Sequence, residues 1–165
     1  LNSTNPECEG SSVVRSDEAP GGPKSVAFRS EILFVRIRSS RLEGVTRMLG
    51  KVFAVLYPKR IPVTLAKATE SEVCLVIPEE VDGLAEAFDE IRKWAEVTVY
   101  RDKSFIAVIG RDIVGFEGLG DKVIGFSGKV YMANVGANMM SESFVIDRDR
   151  LQVTLERLHD YIFEQ

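Results

Sequence analysis

One succession of segments occurs twice in this chain, and the duplication limits what it can fold into more than any single motif does. Leu49-Gly50 recurs as Leu119-Gly120, Ser71-Glu72 as Ser141-Glu142, and Ile91 as the largely apolar Tyr161, each 70 residues later. A fixed offset between matching elements marks two copies of one supersecondary unit. In the first copy, Glu31–Arg38 is rich in branched and aromatic residues and predicts a strand. Gly44–Tyr57 places Val45, Met48, Leu49, Val52, Phe53 and Leu56 at helical spacing, so an amphipathic helix follows. Pro58 and Pro62 break the pattern, and Val63–Lys67 with Glu72–Ile77 predicts a hairpin around Thr69-Glu70-Ser71. A second helix over Glu79–Trp94 and a strand over Glu96–Tyr100 complete a β-α-β-β-α-β order.

The second copy repeats that order. Strands are predicted at Phe105–Ile109, Val130–Asn134 and Ser141–Ile146, a short helix at Gly118–Phe126, and a closing helix at Arg148–Phe163. Gly125 and Gly128 shorten or loosen the second copy's first helix, so the copies are not equivalent. The chain therefore divides into a linker, 1–24, a first unit, 25–101, and a second, 102–165. The expected fold class is α+β: two ferredoxin-like units, each an antiparallel sheet with its helices on one face. Such units leave a sheet face and edges open, which two copies in tandem, or a second chain, would cover.

Composition narrows the function classes. With 21 basic and 25 acidic side chains the net charge is −4, which gives no electrostatic footprint for nucleic acid or anionic lipid, and neither partner is expected. Phe34, Phe105, Tyr131 and Phe144 fall in predicted strands, but without the basic–aromatic signature of an RNA-reading sheet. The longest apolar runs, such as Ile32–Val35, fall far short of the ~18 residues of a membrane span. Cys8 and Cys74 alone supply neither a disulfide framework nor a four-ligand zinc site, so a cytoplasmic location is expected. The linker carries Pro6, Pro20, Pro23 and Gly21-Gly22, too little apolar surface to fold by itself, and a chain that opens on Leu1 reads as cut from a longer one.

No catalytic constellation stands out. His159 on the closing helix has no nucleophile or orienting acid at a useful spacing, and Cys74 in a strand suits a small apolar role. Asp112, Asp121, Asp147 and Asp149 belong to turns and helix starts, so no metal is assigned. Gly118-Leu119-Gly120-Asp121-Lys122 lacks the spacing of a phosphate-binding Walker loop. The loop entering the first helix, from Gly44 to Leu49, is different. It leaves backbone N–H groups unpaired and a partial positive charge, which suits a carboxylate, while Glu70 in the hairpin turn suits an ammonium group.

Several stretches together carry a resemblance: Asn5-Pro6-Glu7-Cys8-Glu9-Gly10, Val26-Ala27-Phe28-Arg29, Met48-Leu49-Gly50-Lys51-Val52-Phe53, Glu70-Ser71-Glu72-Val73, Gly136-Ala137 with Ser143-Phe144-Val145, and Leu158-His159-Asp160-Tyr161-Ile162-Phe163. In order and spacing the chain resembles the C-terminal regulatory part of aspartate kinases, built from tandem ACT domains. The resemblance implies a fragment of an enzyme that phosphorylates aspartate with ATP on the way to lysine, threonine and methionine. The catalytic domain, with its ATP and Mg, would precede Leu1, the linker would be its tail, and the fragment would be inactive alone with no cofactor of its own. It further implies nested units, with residues 25–29 completing the second sheet, a homodimer through ACT units, and an amino-acid effector bound between units, lysine favoured over threonine.

Carried over by position, the effector site comprises Leu42, Arg47, Met48, Leu49, Thr64, Thr69 and Glu70. Thr64 stands where lysine-sensing relatives carry an Asp for the ligand's α-amino group, so one charge-assisted contact is missing. Val135 replaces a common Gln, and Asn138-Met139 replaces Ser-Glu, which weakens a threonine-type site in the second unit. The competing expectation is a ligand-free ACT-type dimerisation module of the same kinase.

Overall fold

The computed structural model describes residues 21–136 and 139–163. The strands are β1 (Gly22–Arg38), β2 (Leu65–Ala68), β3 (Glu72–Pro78), β4 (Glu96–Arg111), β5 (Val130–Asn134) and β6 (Ser141–Asp147). The helices are α1 (Val45–Leu56), α2 (Leu84–Arg92), α3 (Leu119–Ser127) and α4 (Leu151–Phe163). All strand pairings are antiparallel, and the order is β2-β3-β1-β4-β6-β5.

Two long strands organise the whole. The segments expected at 96–100 and 105–109 are one strand, β4, and the strand expected from Glu31 begins at Gly22. The C-terminal half of β1 pairs with β3 and with the start of β4, Arg38 opposite Glu96; its N-terminal half pairs with the end of β4, Ser25 opposite Ile109 and Phe28 opposite Ile106. Each half of the chain thus has the four-stranded ferredoxin-like order, β2-β3-β1-β4 in one and β1-β4-β6-β5 in the other. Of the expected linker, residues 1–20 lie outside the described ones and Gly22–Lys24 are strand.

The polar run Arg101-Asp102-Lys103-Ser104 looks like a turn in sequence, yet the chain continues through it because each group finds a distant partner. Ser104 Oγ donates to Ser30 O at 3.0 Å, and Lys103 Nζ lies 2.8 Å from Asp147 Oδ1. Asp102 adopts φ 55, and pairing in β1 is irregular between Arg29 and Phe34. A slip of one residue reverses which side chains point where. Before it on β4, Val97 and Val99 face the core under α1 and α2; after it, Ile106 and Val108 face the core under α3 and α4.

The strands enclose a third cluster that contains no helix residue. Ile32, Phe34, Val76, Met132 and Val145 are buried there, with Tyr100, Phe105 and Tyr131 packed against them. The Phe34, Tyr100 and Tyr131 ring centroids are 5.6–6.0 Å apart, within aromatic contact range. Although β2 and β5 end the strand order, Lys67 Nζ donates to Ala133 O across them at 3.3 Å. The sheet folds back on itself, helix-free face against helix-free face, with the helices outside. The face on which an RNA base would stack is therefore interior.

The helices follow their sequence patterns with three exceptions, one being that α4 starts at Leu151 rather than Arg148, after a single 3-10 turn. In α1, Val55 is buried, whereas Val45 is 42% exposed. The helix expected from Glu79 starts at Leu84, after left-handed Gly83, because Glu79 is drawn into ion pairs with Arg101 and Arg148. The Glu79–Arg148 pair ties the first half to the second.

Candidate functional site

The loop between β1 and α1 is fastened to the β2–β3 turn by backbone hydrogen bonds. Ser39 N donates to Ser71 O at 2.8 Å, and Glu43 N and Gly44 N both donate to Glu70 O, at 2.9 and 3.1 Å. This places Glu70 at the start of α1. Gly44 caps that helix with φ 81, a conformation that suits glycine, and offers no side chain to the first turn. The α1 first turn has no acidic residue, and Met48 N is the first amide bonded within the helix, to Gly44 O. The amides of Val45, Thr46 and Arg47 therefore face outward with the positive end of the helix dipole.

Glu43 sits just before this terminus. Its carboxylate accepts from Lys51 Nζ at 2.9 and 3.0 Å and from Ser39 Oγ at 3.3 Å, and lies 3.5 Å from Arg47 Nε. The Lys51 hydrogen bonds hold the Glu43 carboxyl below the usual carboxylate range. Arg47 is thus an exposed partner of Glu43.

The expected site residues do not all converge. Glu70 and the α1 start come together, and exposed Leu42 lies on the connecting loop. Met48 is fully buried in the first core and Leu49 packs against it, so the part expected of this stretch, donating backbone N–H groups, does not involve their side chains. Thr69 serves the turn: its hydroxyl accepts from Glu72 N at 3.2 Å. Thr64 is exposed ahead of the sheet-edge strand β2, its amide donating to Val76 O, with the length of β2 between it and Glu70.

The second half repeats the fastening without the chemistry. Gly110 N donates to Met140 O and Ile113 N to Met139 O, so a turn is again bonded to the loop before a helix. Exposed Met139 and Met140 stand in that turn where Glu70 stands in the first, and α3 carries Asp121 in its first turn. Among the described residues of the turn no carboxylate stands where Glu70 does, and on α3 an acid opposes an anion. Val135 is exposed, while Ala137 and Asn138 lie outside the described residues.

Other candidates remain ordinary. Cys74 is half-buried and burial pushes its thiol up, the opposite of activation. His159 is exposed beside Phe163. Among the described residues no group of three or more His, Cys, Asp or Glu converges for a metal, and no helix is long and apolar enough to cross a membrane.

The chain matches none of the known protein-family models. It is 27% identical over 179 residues to the chloroplastic aspartokinase 3 of Arabidopsis thaliana, an alignment covering 99% of this chain and 31% of that protein. Among solved structures it is similar to Escherichia coli aspartokinase III in complex with lysine and aspartate, with a TM-score of 0.79 and 23% identity over 97% of this chain and 37% of that one. The ligand-free regulatory subunit of Thermus thermophilus aspartate kinase superposes with a TM-score of 0.68 at 14% identity, covering 86% of this chain and 99% of that subunit. The chain is therefore homologous to the aspartokinases over a region spanning 31% of the Arabidopsis relative, and its fold is that of their ACT-type regulatory domains.

Proposed function

We propose that this chain is the amino-acid-sensing part of an aspartokinase, exerting feedback control on ATP-dependent phosphorylation of aspartate in lysine, threonine and methionine biosynthesis. The observation that carries the reading is the seating of Glu70 on the α1 N-terminus through the Glu43 and Gly44 amides. The outward amides of Val45–Arg47 suit an effector's carboxylate and Glu70 its ammonium group. The E. coli relative named above is in complex with lysine, which favours lysine over threonine here, although Thr64 supplies no charge. Thr64 and Glu70 lie at opposite ends of the edge strand β2, and two chains with their β2 edges set antiparallel would bring both to one ligand, which supports a site shared in a homodimer. The effector then acts by binding one dimer arrangement better than another, with coupling of typically ~1–3 kcal/mol. The kinase domain, with ATP and Mg, is supplied by the remainder of the enzyme, in the cytoplasm.

The filled seam favours a second reading, a ligand-free dimerisation module. Phe34, Val76, Met132 and Val145 from the two halves of one chain are buried together in a single apolar cluster. Calorimetric titration with lysine, threonine and methionine, on wild type and Glu70→Ala, separates the two. A sensor binds one of them and loses about 1.5–3 kcal/mol of affinity in the variant. Heat from none of the three, with dimerisation unchanged by the substitution, upholds the assembly role instead.

A further inference from the structure

A cleft of about 800 Å³ opens beside the site just described, between the end of β1, the following loop, the C-terminal end of α2 and the start of β4. Arg38, Arg41, Arg92 and Lys93 line it, with Glu96 as the single carboxylate, although the chain as a whole carries a charge of −4. Arg92 pairs with Asp89 at 2.9 Å. Among the described residues Arg41 and Lys93 form no ion pair within 4 Å, whereas Arg38 lies opposite Glu72 and Glu96 in the ladder, which offset part of its charge. The C-terminus of α2 accounts for about half a charge of this demand. Setting Asp89, Glu96 and the helix terminus against the four cations still leaves net positive charge, carried by Arg41 and Lys93, which favours entry of an anion.

We propose that this cleft binds a small, multiply charged oxyanion. Guanidinium groups engage phosphate or carboxylate oxygens in pairs. A zwitterionic amino acid fits poorly, because cations here outnumber carboxylates four to one. The volume lies within the range of small-molecule sites. The cleft shares Leu42 with the expected effector site but not Glu70, so Glu70→Ala separates this proposal from amino-acid sensing.

Trp94 lines this cleft and is the only tryptophan in the chain, so its fluorescence reports occupancy directly. The wild-type chain is titrated with sodium pyrophosphate, citrate and chloride at matched ionic strength, and calorimetry repeats each titration. A saturable response to pyrophosphate or citrate, absent with chloride, is expected. It should weaken about tenfold or more in the Arg41→Ala/Lys93→Ala double variant and persist in Glu70→Ala. Tighter binding of pyrophosphate assigns a phosphate-bearing ligand, and tighter binding of citrate a polycarboxylate. Both replaced side chains are exposed, and an unchanged urea midpoint shows that the variant folds. Failure of both anions to bind by either readout at about ten millimolar, or equal binding by the double variant, overturns the proposal.

Discussion

Replacing Lys103 by Met tests how the two halves are held at their shared strand. Lys103 is 10% exposed and Asp147 31%, with Nζ 2.8 Å from Oδ1; Nζ also donates to Arg101 O at 3.0 Å, and Tyr131 Oη donates to Asp147 at 3.0 Å. At an effective dielectric constant of ~20 the gross attraction at this distance is about 6 kcal/mol. Desolvation of a nearly buried ammonium group offsets several kcal/mol of that, and solvent reaching Asp147 screens more. A net loss of about 2 kcal/mol at neutral pH is expected, read as a lower urea midpoint at unchanged slope. Burial alone would raise the Asp147 carboxyl, but hydrogen bonds from Lys103 and Tyr131 outweigh it and hold it below its ordinary value. Burial would lower the Lys103 ammonium, and Asp147 outweighs that and raises it. The carboxylate contribution is therefore present above the unfolded value of ~3.9 and is lost as pH falls through the folded value. The ammonium contribution is present below ~10.4 and is lost as pH rises through its folded value. The gap between wild type and Lys103→Met should be widest at neutral pH and narrow towards both extremes, and Asp147→Asn in a double-mutant cycle should couple to it by more than about 1 kcal/mol. Equal stability of wild type and variant at neutral pH, or a gap that ignores pH, would refute the reasoning.

Three further outcomes follow from the same structure. Phe34→Ala empties the centre of the strand-only cluster and should cost about 3–5 kcal/mol in urea unfolding; a loss under about 1 kcal/mol would mean the two helix-free faces are not packed together. Gly110→Ala brings a Cβ to 2.0 Å from Gly22 O, so the ends of β1 and β4 must part, which hydrogen exchange should report as faster exchange over Gly22–Arg29. Burial raises the Glu142 carboxyl, whose Oε2 has no hydrogen-bond partner, so folding stability it influences falls as pH rises from ~4.3 through the folded value. Glu142→Gln should remove that decline, and a thermal midpoint against pH that is the same for both proteins would contradict it.

How much of this was legible in the sequence depended on how local the cause was. The strand over Val130–Asn134 falls where its residues predict, and α1 differs from expectation by a residue at each end, because apolar spacing along one segment decides both. The continuity of β4 was hidden: Arg101–Ser104 is polar, and the groups that satisfy Lys103 and Ser104 belong to Asp147 and Ser30, far off in the chain. The start of α2 was misplaced for a similar reason, since Arg148 holds Glu79 away from the helix. At the site, the predicted hairpin around Thr69-Glu70-Ser71 pointed to Glu70, and that turn does sit on α1. The burial of Met48 was legible in the apolar spacing of α1, whereas the distance of Thr64 follows from register that no local pattern encodes. The cationic cleft escaped altogether, because Arg38, Arg41 and Lys93 are unremarkable singly and acquire meaning only when a strand end, a loop and a helix end meet.

The two through-running strands also set an order of events. Residues 22–29 emerge from the ribosome before the rest of the described chain, yet their ladder partners are residues 105–111, so during translation this ribbon waits without a mate while the first half completes its own hydrogen bonding. Pairings this remote are slow to form, and an unpaired ribbon invites association with neighbours. The second half is not a separable cassette: a scissor cut at 101/102 leaves the first piece its four strands but takes from the second the N-terminal half of β1.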